Sequence, residues 1–369
     1  MRRLALLITA SSLAAPAVHA VDINEGQLAI HGDGAWSFQS TSNRNGYLGA
    51  TPDGNYDLAS FNLLVAARPT PLLTITADLA FDPRHVGLEW MFVEWRVSDR
   101  LRLRAGRVKQ PIGNSGELQF AGTTRPFFNL ATSIYGPANM VANSYLGVGA
   151  TGQLTPDSPW TLAYDLYFGA LKLTELETYR GLEVPAEPTV NDPVAVDRQL
   201  VREILGGRLS LTTPFDLTLR VSGFGGRLLK DEPTRTTFLV GGLSAEYQSR
   251  RLRLGAEVFY SNELGAEHSV GAHLTAAWSF DDHWQAAARV EGHQTWVHDI
   301  TGISPLQRHR EAALGLNYWF TPALVVKGSL HQVVGNRFAY PAGATYLELA
   351  TRLPAERTIT VLLGTQFAF

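Results

Sequence analysis

The sequence predicts an all-β protein, a transmembrane antiparallel β-barrel of about 16 strands, with 14 or 18 strands as the alternatives. Two observations predict this fold. Bulky apolar residues alternate with smaller or polar ones along most of the chain, as in strands that have one apolar face. The connections between the alternating segments are short at one end and often long at the other, which is typical of membrane barrels.

The C-terminal segment shows the alternation well. One face carries bulky side chains, namely Ile359, Val361, Leu363, Thr365, Phe367 and Phe369. The other face carries Thr358, Thr360, Leu362, Gly364 and Gln366. The same pattern predicts strands over residues 28–39, 58–67, 72–82, 86–98, 100–110, 143–154, 160–172, 201–214, 215–228, 235–249, 251–264, 268–281, 283–297, 309–322, 323–335 and 357–369. The even number of predicted strands agrees with the even strand numbers of single-chain bacterial barrels.

The predicted connections fall into two groups. Tight turns such as residues 68–71 and 155–158 alternate with long loops at 40–57, 111–142, 173–200, 298–308 and 336–356. Both chain ends lie on the side of the tight turns. A barrel of about 16 strands is too wide for side chains to fill, so the apolar face must point outward to lipid.

Residues 1–20 have the features of an export signal. Arg2 and Arg3 supply the positive start, residues 4–15 are mostly apolar, and small residues precede the predicted cleavage point after Ala20. The apolar run is shorter than the ~20 residues of a spanning helix, although a short membrane anchor is the alternative. We therefore expect a signal peptide over 1–20 and one barrel domain over 21–369, in a bacterial outer membrane with periplasmic termini.

The composition excludes several functions. The chain has no Cys and a net charge of −3, which rules out thiolate chemistry and argues against a nucleic-acid surface. Ser261 and His268 have no G-x-S-x-G context that would indicate a hydrolase. His293 and His298 are five residues apart and face opposite sides of a strand, so they should not share a metal ion. We expect no enzyme activity, no metal and no cofactor.

Charged residues on the polar faces predict a pore wall that leans basic. The densest basic run is 101–109, in which Arg102 and Arg104 face inward if the leucines between them face lipid. Strict alternation then sends Arg107 and Lys109 outward. Either a bulge just before Arg107 re-phases the strand, or both residues lie above the apolar band. Both arrangements put positive charge in the outer half of the pore.

The loop over residues 111–142 is the third long connection. It is rich in apolar groups, including Phe120, Phe127, Phe128 and Ile134. Since such groups are unfavourable in solvent, we expect the loop to fold into the lumen, with Glu117 and Arg125 as constriction charges. An external loop packed over the mouth is the alternative.

The junction between this strand and loop consists of residues 106–113 (GRVKQPIG), followed by Glu117 and by residues 124–127 (TRPF). It resembles the same junction in the phosphate-selective porin (O/P-type) family and related general outer-membrane porins. The resemblance implies that Phe369 is recognised by the barrel assembly machinery and that the chain forms a homotrimer. Phosphate-selective members rely on lysine-rich clusters, whereas this chain has only Lys109, Lys172, Lys230 and Lys327. A general or weakly anion-preferring channel is therefore the expectation.

These expectations converge on a porin for passive diffusion of small hydrophilic solutes and ions. The predicted pore-lining and constriction residues are Arg102, Arg104, Arg107, Lys109, Glu117 and Arg125. A substrate-specific channel for small organic anions is one alternative, suggested by the loop aromatics. A non-conducting structural or adhesive barrel is another. The expected partners are outer-membrane lipid, lipopolysaccharide, the assembly machinery and small solutes, with no nucleic acid.

Overall fold

The computed structural model is a barrel of long antiparallel strands. It describes residues 21–23, 27–83, 86–116, 122–136, 140–155, 158–176, 196–229, 235–298, 307–341 and 355–369. The predicted signal segment, residues 1–20, lies outside these ranges. No helix among the described residues is long and apolar enough to cross a membrane.

The strands occupy most of the described chain. In chain order they are β1 (Val21–Ile23), β2 (Leu28–Thr41), β3 (Asn45–Gly46), β4 (Asn55–Thr70), β5 (Leu73–Phe81), β6 (Val86–Ser98), β7 (Leu101–Lys109), β8 (Ser144–Gln153), β9 (Thr161–Leu176), β10 (Val196–Thr212), β11 (Leu217–Leu229), β12 (Arg235–Gln248), β13 (Leu252–Glu263), β14 (Glu267–Ser279), β15 (Trp284–Val297), β16 (Arg308–Thr321), β17 (Leu324–Val334), β18 (Tyr340–Pro341) and β19 (Arg357–Ala368). A four-residue helix, α1 (Thr132–Tyr135), lies between β7 and β8.

The main sheet has 17 strands, of which 16 form a closed ring. Each strand of the ring pairs antiparallel with the next, and β19 pairs with β2 to close it, with Ala368 opposite Asp33. The short β1 folds back on β2, and β3 pairs with β18 in a separate two-stranded sheet. Each predicted strand overlaps one strand of the ring, so the predicted fold class and strand number are confirmed.

The outer surface of the barrel is apolar. Along β8, β10 and β16 the exposed side chains are large hydrophobic residues such as Leu146, Leu205 and Leu314. Aromatic rings cluster near the short turns, where Tyr318 lies 4.8 Å from both Trp284 and Phe320 between ring centroids. This arrangement of an apolar belt with aromatic residues near its edge is that of a transmembrane barrel.

The two ends of the barrel differ in loop length, as predicted. Links such as Thr70 to Leu73 and Ser98 to Leu101 are tight, whereas residues 110–143 separate β7 from β8 at the opposite end. Parts of the other long connections, including residues 177–195 and 342–354, lie outside the described residues. The first and last strands of the ring begin and end on the side of the tight turns, which brings both ends of the barrel domain to that side.

An apolar cluster lies inside the lumen, in the half of the barrel nearer the long loops. The wall contributes inward aromatic and aliphatic side chains, including Tyr145, Tyr167, Phe224, Phe238 and Phe259. They pack against Ile112, Ile134 and Met140, which belong to the connection between β7 and β8. This core stabilises a loop inside the barrel by removing apolar surface from water.

Candidate pore constriction

Residues 110–143 connect β7 to β8, and the described part of this connection (110–116, 122–136 and 140–143) folds into the lumen and bonds to the wall. We call this segment the inner loop. Its irregular backbone leaves amide and carbonyl groups that must find partners when buried, and wall side chains supply many of them. The sequence prediction of an inward-folded third long loop is confirmed. Glu117, the predicted acidic constriction residue on this loop, lies outside the described residues.

Glu257 on β13 anchors the first part of the inner loop. Its buried carboxylate accepts hydrogen bonds from the Asn114 amide at 2.7 Å and the Tyr135 hydroxyl at 2.8 Å. Ser244 and His273 also lie 2.8 Å from it. Burial and the neighbouring Glu257 carboxylate raise the pKa of Tyr135 well above its ordinary value. The phenol therefore stays protonated and donates to Glu257.

Gly113 allows the inner loop to approach this carboxylate. Its φ angle is +60°, and its amide donates to the Ser222 hydroxyl at 3.0 Å. A Cβ at this position would lie 2.3 Å from the Tyr135 hydroxyl and 2.4 Å from a Glu257 oxygen. Since both atoms belong to the anchor, only glycine fits without displacing it.

Lys327 on β17 anchors the middle of the inner loop. Its ammonium is buried and donates to the carbonyl oxygens of Gly122 at 2.8 Å and Arg125 at 2.5 Å. Asn317 on β16 donates to the Pro126 carbonyl at 2.9 Å. The amino group of Lys327 therefore holds the loop and does not face a passage for solutes.

The aromatic residues of the inner loop pack against the wall. Phe127 is buried among Ala277, Ala287 and Ala313, which lie on three consecutive strands. The Arg289 guanidinium lies 4.8 Å from its ring centroid, within the range of a cation–π contact. Phe127 therefore fills a pocket between loop and wall, and it does not line a passage for aromatic solutes.

A group of five arginines lines the lumen near the short-turn ends of their strands. We call it the arginine belt, and its members are Arg102 and Arg104 on β7, Arg208 on β10, Arg220 on β11 and Arg253 on β13. Their side chains are between 12% and 26% exposed, so solutes in the lumen can contact them. The predicted inward orientation of Arg102 and Arg104 agrees with this placement.

Carboxylates neutralise only part of the belt. Glu94 on β6 lies 2.8 Å from Arg104 and 3.5 Å from Arg102. Asp165 on β9 lies 2.9 Å from Arg208. One carboxylate thus serves two arginines on β7.

Glu246 on β12 is shared in the same way, at 2.9 Å from Arg253 and 3.3 Å from Arg220. Among the residues that the structure describes, five guanidinium groups share three carboxylates, so the belt carries more positive than negative charge. Sequence reasoning missed Glu94 and Glu246. Both stand on the polar faces of predicted strands, so alternation could have found them, but their sharing depends on strand register.

Arg107 does not line the lumen, which corrects the sequence prediction. It pairs with Met91 and Leu146, whose side chains are 52% and 64% exposed on the outer face. The pairing of β7 is unbroken through this region, so no bulge re-phases the strand. The guanidinium donates to the Leu88 carbonyl and, at 2.9 Å, to the Ser144 hydroxyl. Arg107 thereby directs its charge towards the long-loop end, away from the hydrocarbon.

Lys109 turns towards the lumen, although strict alternation would send it outward. Its ammonium lies 3.5 Å from the ring centroid of Trp90, which is buried on the inner face of β6. It also interacts electrostatically with Asp33 and Asp78 on the neighbouring wall. Lys109 is the last residue of β7, where the strand ends and alternation no longer governs the side chain.

Arg125 projects from the inner loop towards the wall formed by β2, β4 and their neighbours. It borders a cavity of about 230 Å³ that is also lined by Asp33, Asn62 and Glu89. Burial lowers the pKa of Arg125 to about 10, while the Asp33 carboxylate favours its charged form, so the guanidinium stays positive at neutral pH. The structure therefore brings both Arg125 and Lys109 near the Asp33 carboxylate. Arg102 and Arg104 lie nearer the short-turn end of the lumen.

Three side chains of types that can ligate a metal ion lie close together where the barrel wall contacts the inner loop. They are Glu291 on β15 and His309 and Glu311 on β16, all buried. The sequence expectation of no metal rested on histidine pairs within one strand. Ligands from two paired strands can meet whatever their spacing along the chain, and that arrangement was missed.

No protein-family model matches the sequence, and no curated protein sequence matches it. Solved structures match the fold. The chain is similar to an anion-selective porin from Comamonas acidovorans, with 11% identity and a TM-score of 0.58 over 93% of this chain and 99% of that one. It is similar to Salmonella typhi OmpF in complex with daunomycin, with 10% identity and a TM-score of 0.62 over 95% and 100%.

A third similar structure is the trimer form of in-vitro folded OmpT, an outer membrane protein of Vibrio cholerae. It has 11% identity and a TM-score of 0.58, over 93% of this chain and 99% of that one. At these identities the similarity defines the fold, which is that of the outer-membrane porin barrels.

Proposed function

We propose that the protein is an outer-membrane porin through which small hydrophilic solutes and ions diffuse passively, with a weak preference for anions. The arginine belt carries the proposal. Its excess of positive charge among the described residues lines the lumen, which the inner loop narrows. Pore width and wall charge are the properties by which such channels select.

The outer surface supports the proposed location. An apolar belt of this kind contacts lipid, and lipopolysaccharide would cover it in the outer leaflet. Residues 1–20 would direct export, and both termini would lie in the periplasm. The strand ending at Phe369 would be recognised by the barrel assembly machinery. A homotrimer is the proposed assembly, supported by the trimer form of one structural neighbour. Mass measurement of the detergent complex tests the assembly.

Phosphate is not the proposed solute, although the strand-to-loop junction resembles that of phosphate-selective channels. Of the described lysines, Lys327 donates its hydrogen bonds to carbonyl oxygens of the inner loop, and Lys172 is exposed outside the lumen. The belt consists of arginines that share carboxylates. Such a wall favours anions as a class and offers no lysine cluster to single out phosphate.

Planar-bilayer recording of the purified protein under a salt gradient tests the proposal. We expect stepwise single-channel currents and a reversal potential displaced towards the equilibrium potential of the anion. Swelling of liposomes in sugars of increasing size would give the size limit set by the inner loop. A clear cation preference would overturn the anion part. Absence of any conductance would overturn the porin itself and favour a structural barrel with a plugged lumen.

A further inference from the structure

We propose that Glu291, His309 and Glu311 form a binding site for a divalent transition metal ion of the Zn²⁺ type, inside the barrel. Glu291 on β15 and Glu311 on β16 stand directly opposite each other in the strand pairing. Both carboxylates are buried. Two like charges in opposed positions are unfavourable, and the guanidinium of Arg289, which lies beside both, offsets only one of them.

The distances within this cluster suit ligands of one ion. The His309 Nε2 atom lies 3.8 Å from Glu291 Oε1 and 3.7 Å from Glu311 Oε2. These separations are too long for hydrogen bonds, which end near ~3.2 Å. Ligand bonds of about 2.0–2.2 Å to a tetrahedral ion place two ligand atoms about 3.3–3.6 Å apart, so small side-chain adjustments complete the site.

Unsatisfied atoms point to the same conclusion. His309 is fully buried, and neither of its ring nitrogens has a hydrogen-bond partner. Glu291 Oε1, which faces Nε2, also has none. Buried polar atoms are nearly always paired, because leaving them unpaired costs free energy. An ion held between Nε2 and Oε1 gives both atoms a partner.

Neighbouring residues orient the two carboxylates. Glu311 Oε1 accepts from His331 Nδ1 at 2.8 Å and from Arg289 at 2.9 Å, while Oε2 faces His309 and also accepts from the Tyr47 hydroxyl. Glu291 Oε2 accepts from the Ser133 amide at 2.9 Å, which leaves Oε1 towards His309. Such outer partners hold metal ligands in place.

The ligand types select the ion. One imidazole and two carboxylates suit Zn²⁺, whereas Mg²⁺ and Ca²⁺ prefer oxygen alone. Arg289 lies 3.4 Å from Glu291 Oε1 and carries a positive charge, which weakens binding of any cation. Two carboxylates still outweigh one guanidinium, so the cluster keeps a net negative charge when its histidines are neutral. The net charge of the cluster therefore still favours a bound cation.

The site connects the wall to two loops. Ser133 belongs to α1 of the inner loop, so the Glu291 carboxylate holds both that helix and the proposed ion. The Tyr47 hydroxyl, from the connection between β2 and β4, donates to Glu311 and lies 3.1 Å from the Thr132 hydroxyl. Bound metal would therefore tighten the contact between inner loop and wall.

Calorimetric titration of the untagged, metal-free protein in detergent with ZnCl₂ tests the site. We expect one ion per chain, no comparable heat with MgCl₂, and a four-coordinate visible spectrum when Co²⁺ replaces Zn²⁺. His309→Gln and Glu291→Gln should each weaken Zn²⁺ binding at least tenfold. His298→Gln, which changes an exposed histidine at the end of β15, is the matched control and should leave binding unchanged.

Heat-modifiable gel mobility establishes that each variant is folded. The proposal is overturned if the wild-type protein binds no Zn²⁺, or if His309→Gln and His298→Gln bind it equally. If one ligand variant fails to fold, the other decides. If both fail, the Co²⁺ spectrum and X-ray absorption of the wild-type protein decide, since a first coordination shell without imidazole would exclude His309.

Discussion

At the residue scale, Glu94 sets how much positive charge Arg102 and Arg104 present to the lumen. Replacing it as Glu94→Gln removes the carboxylate that both guanidinium groups share. One unit charge ~10 Å from a permeating ion in water changes its energy by about 0.4 kcal/mol, a factor of about two in permeability. We expect the anion-to-cation permeability ratio to rise by about that factor, measured as a reversal potential.

Asp282→Asn is the control for Glu94→Gln, because it removes the same charge from a side chain that is 89% exposed on a short turn. It should leave the ratio nearly unchanged. An equal rise in both variants would mean that total charge, and not the arginine belt, sets selectivity.

The opposite change should have the opposite effect. Arg102→Gln combined with Arg104→Gln removes two positive charges from the belt and leaves Glu94 unpaired, so the anion preference should fall or reverse. The double variant Arg227→Gln with Arg250→Gln is the control. Both side chains are more than half exposed, and neither belongs to the arginine belt. Unchanged reversal potentials in the first variant would remove Arg102 and Arg104 from the selectivity mechanism.

At the element scale, the inner loop depends on the bond between Tyr135 and Glu257. Tyr135→Phe removes a buried hydrogen bond to a carboxylate, worth about 1.5–3 kcal/mol. We expect a looser loop, seen as more frequent current fluctuations in single-channel records and faster proteolysis between β7 and β8. Tyr260→Phe, on an exposed outer-face tyrosine, is the matched control. Equal noise in both variants would show that this anchor does not hold the loop.

At the scale of the whole molecule, the barrel depends on its closing seam between β19 and β2. A Cβ at Gly364 would lie 2.1 Å from the Trp36 carbonyl oxygen and 2.6 Å from the Ser37 Cα. Gly364→Ala should therefore force the two strands apart and cost about 1–3 kcal/mol, the usual range for overpacking. The heat-modifiable gel shift should occur at a lower temperature than in the wild type.

Gly255→Ala tests whether any added methyl group has this effect. Gly255 is also a barrel glycine, but a Cβ there meets nothing within 4 Å. Its unfolding temperature should equal that of the wild-type protein. A comparable loss in both variants would mean that glycine itself, and not close approach at the seam, is what the barrel requires.

The fold could be predicted from the sequence because membrane strands are governed by local alternation. A residue such as Leu363 must face lipid and Gly364 must not, and this holds without knowledge of any other strand. The tight turns followed from the same pattern. Arg102 and Arg104 lie on the regular part of β7, where alternation assigns the face of each side chain. Arg107 was assigned to the lumen against alternation and faces outward, whereas Lys109 reaches the lumen because it lies at the end of its strand.

The sequence alone therefore determined the all-β class and the outward apolar face. It favoured 16 strands over 14 or 18 and an inward third loop over an external one, and the tertiary structure decided both. Only the tertiary structure decided which charges meet. Glu94 serves two arginines, Lys327 holds loop carbonyls, and Glu291 faces His309 because strand register and loop path bring them together. Alternation assigns each side chain to a face but leaves its neighbours across the barrel unspecified. The proposed selectivity and the proposed metal binding depend on those neighbours, which only the closed barrel brings together.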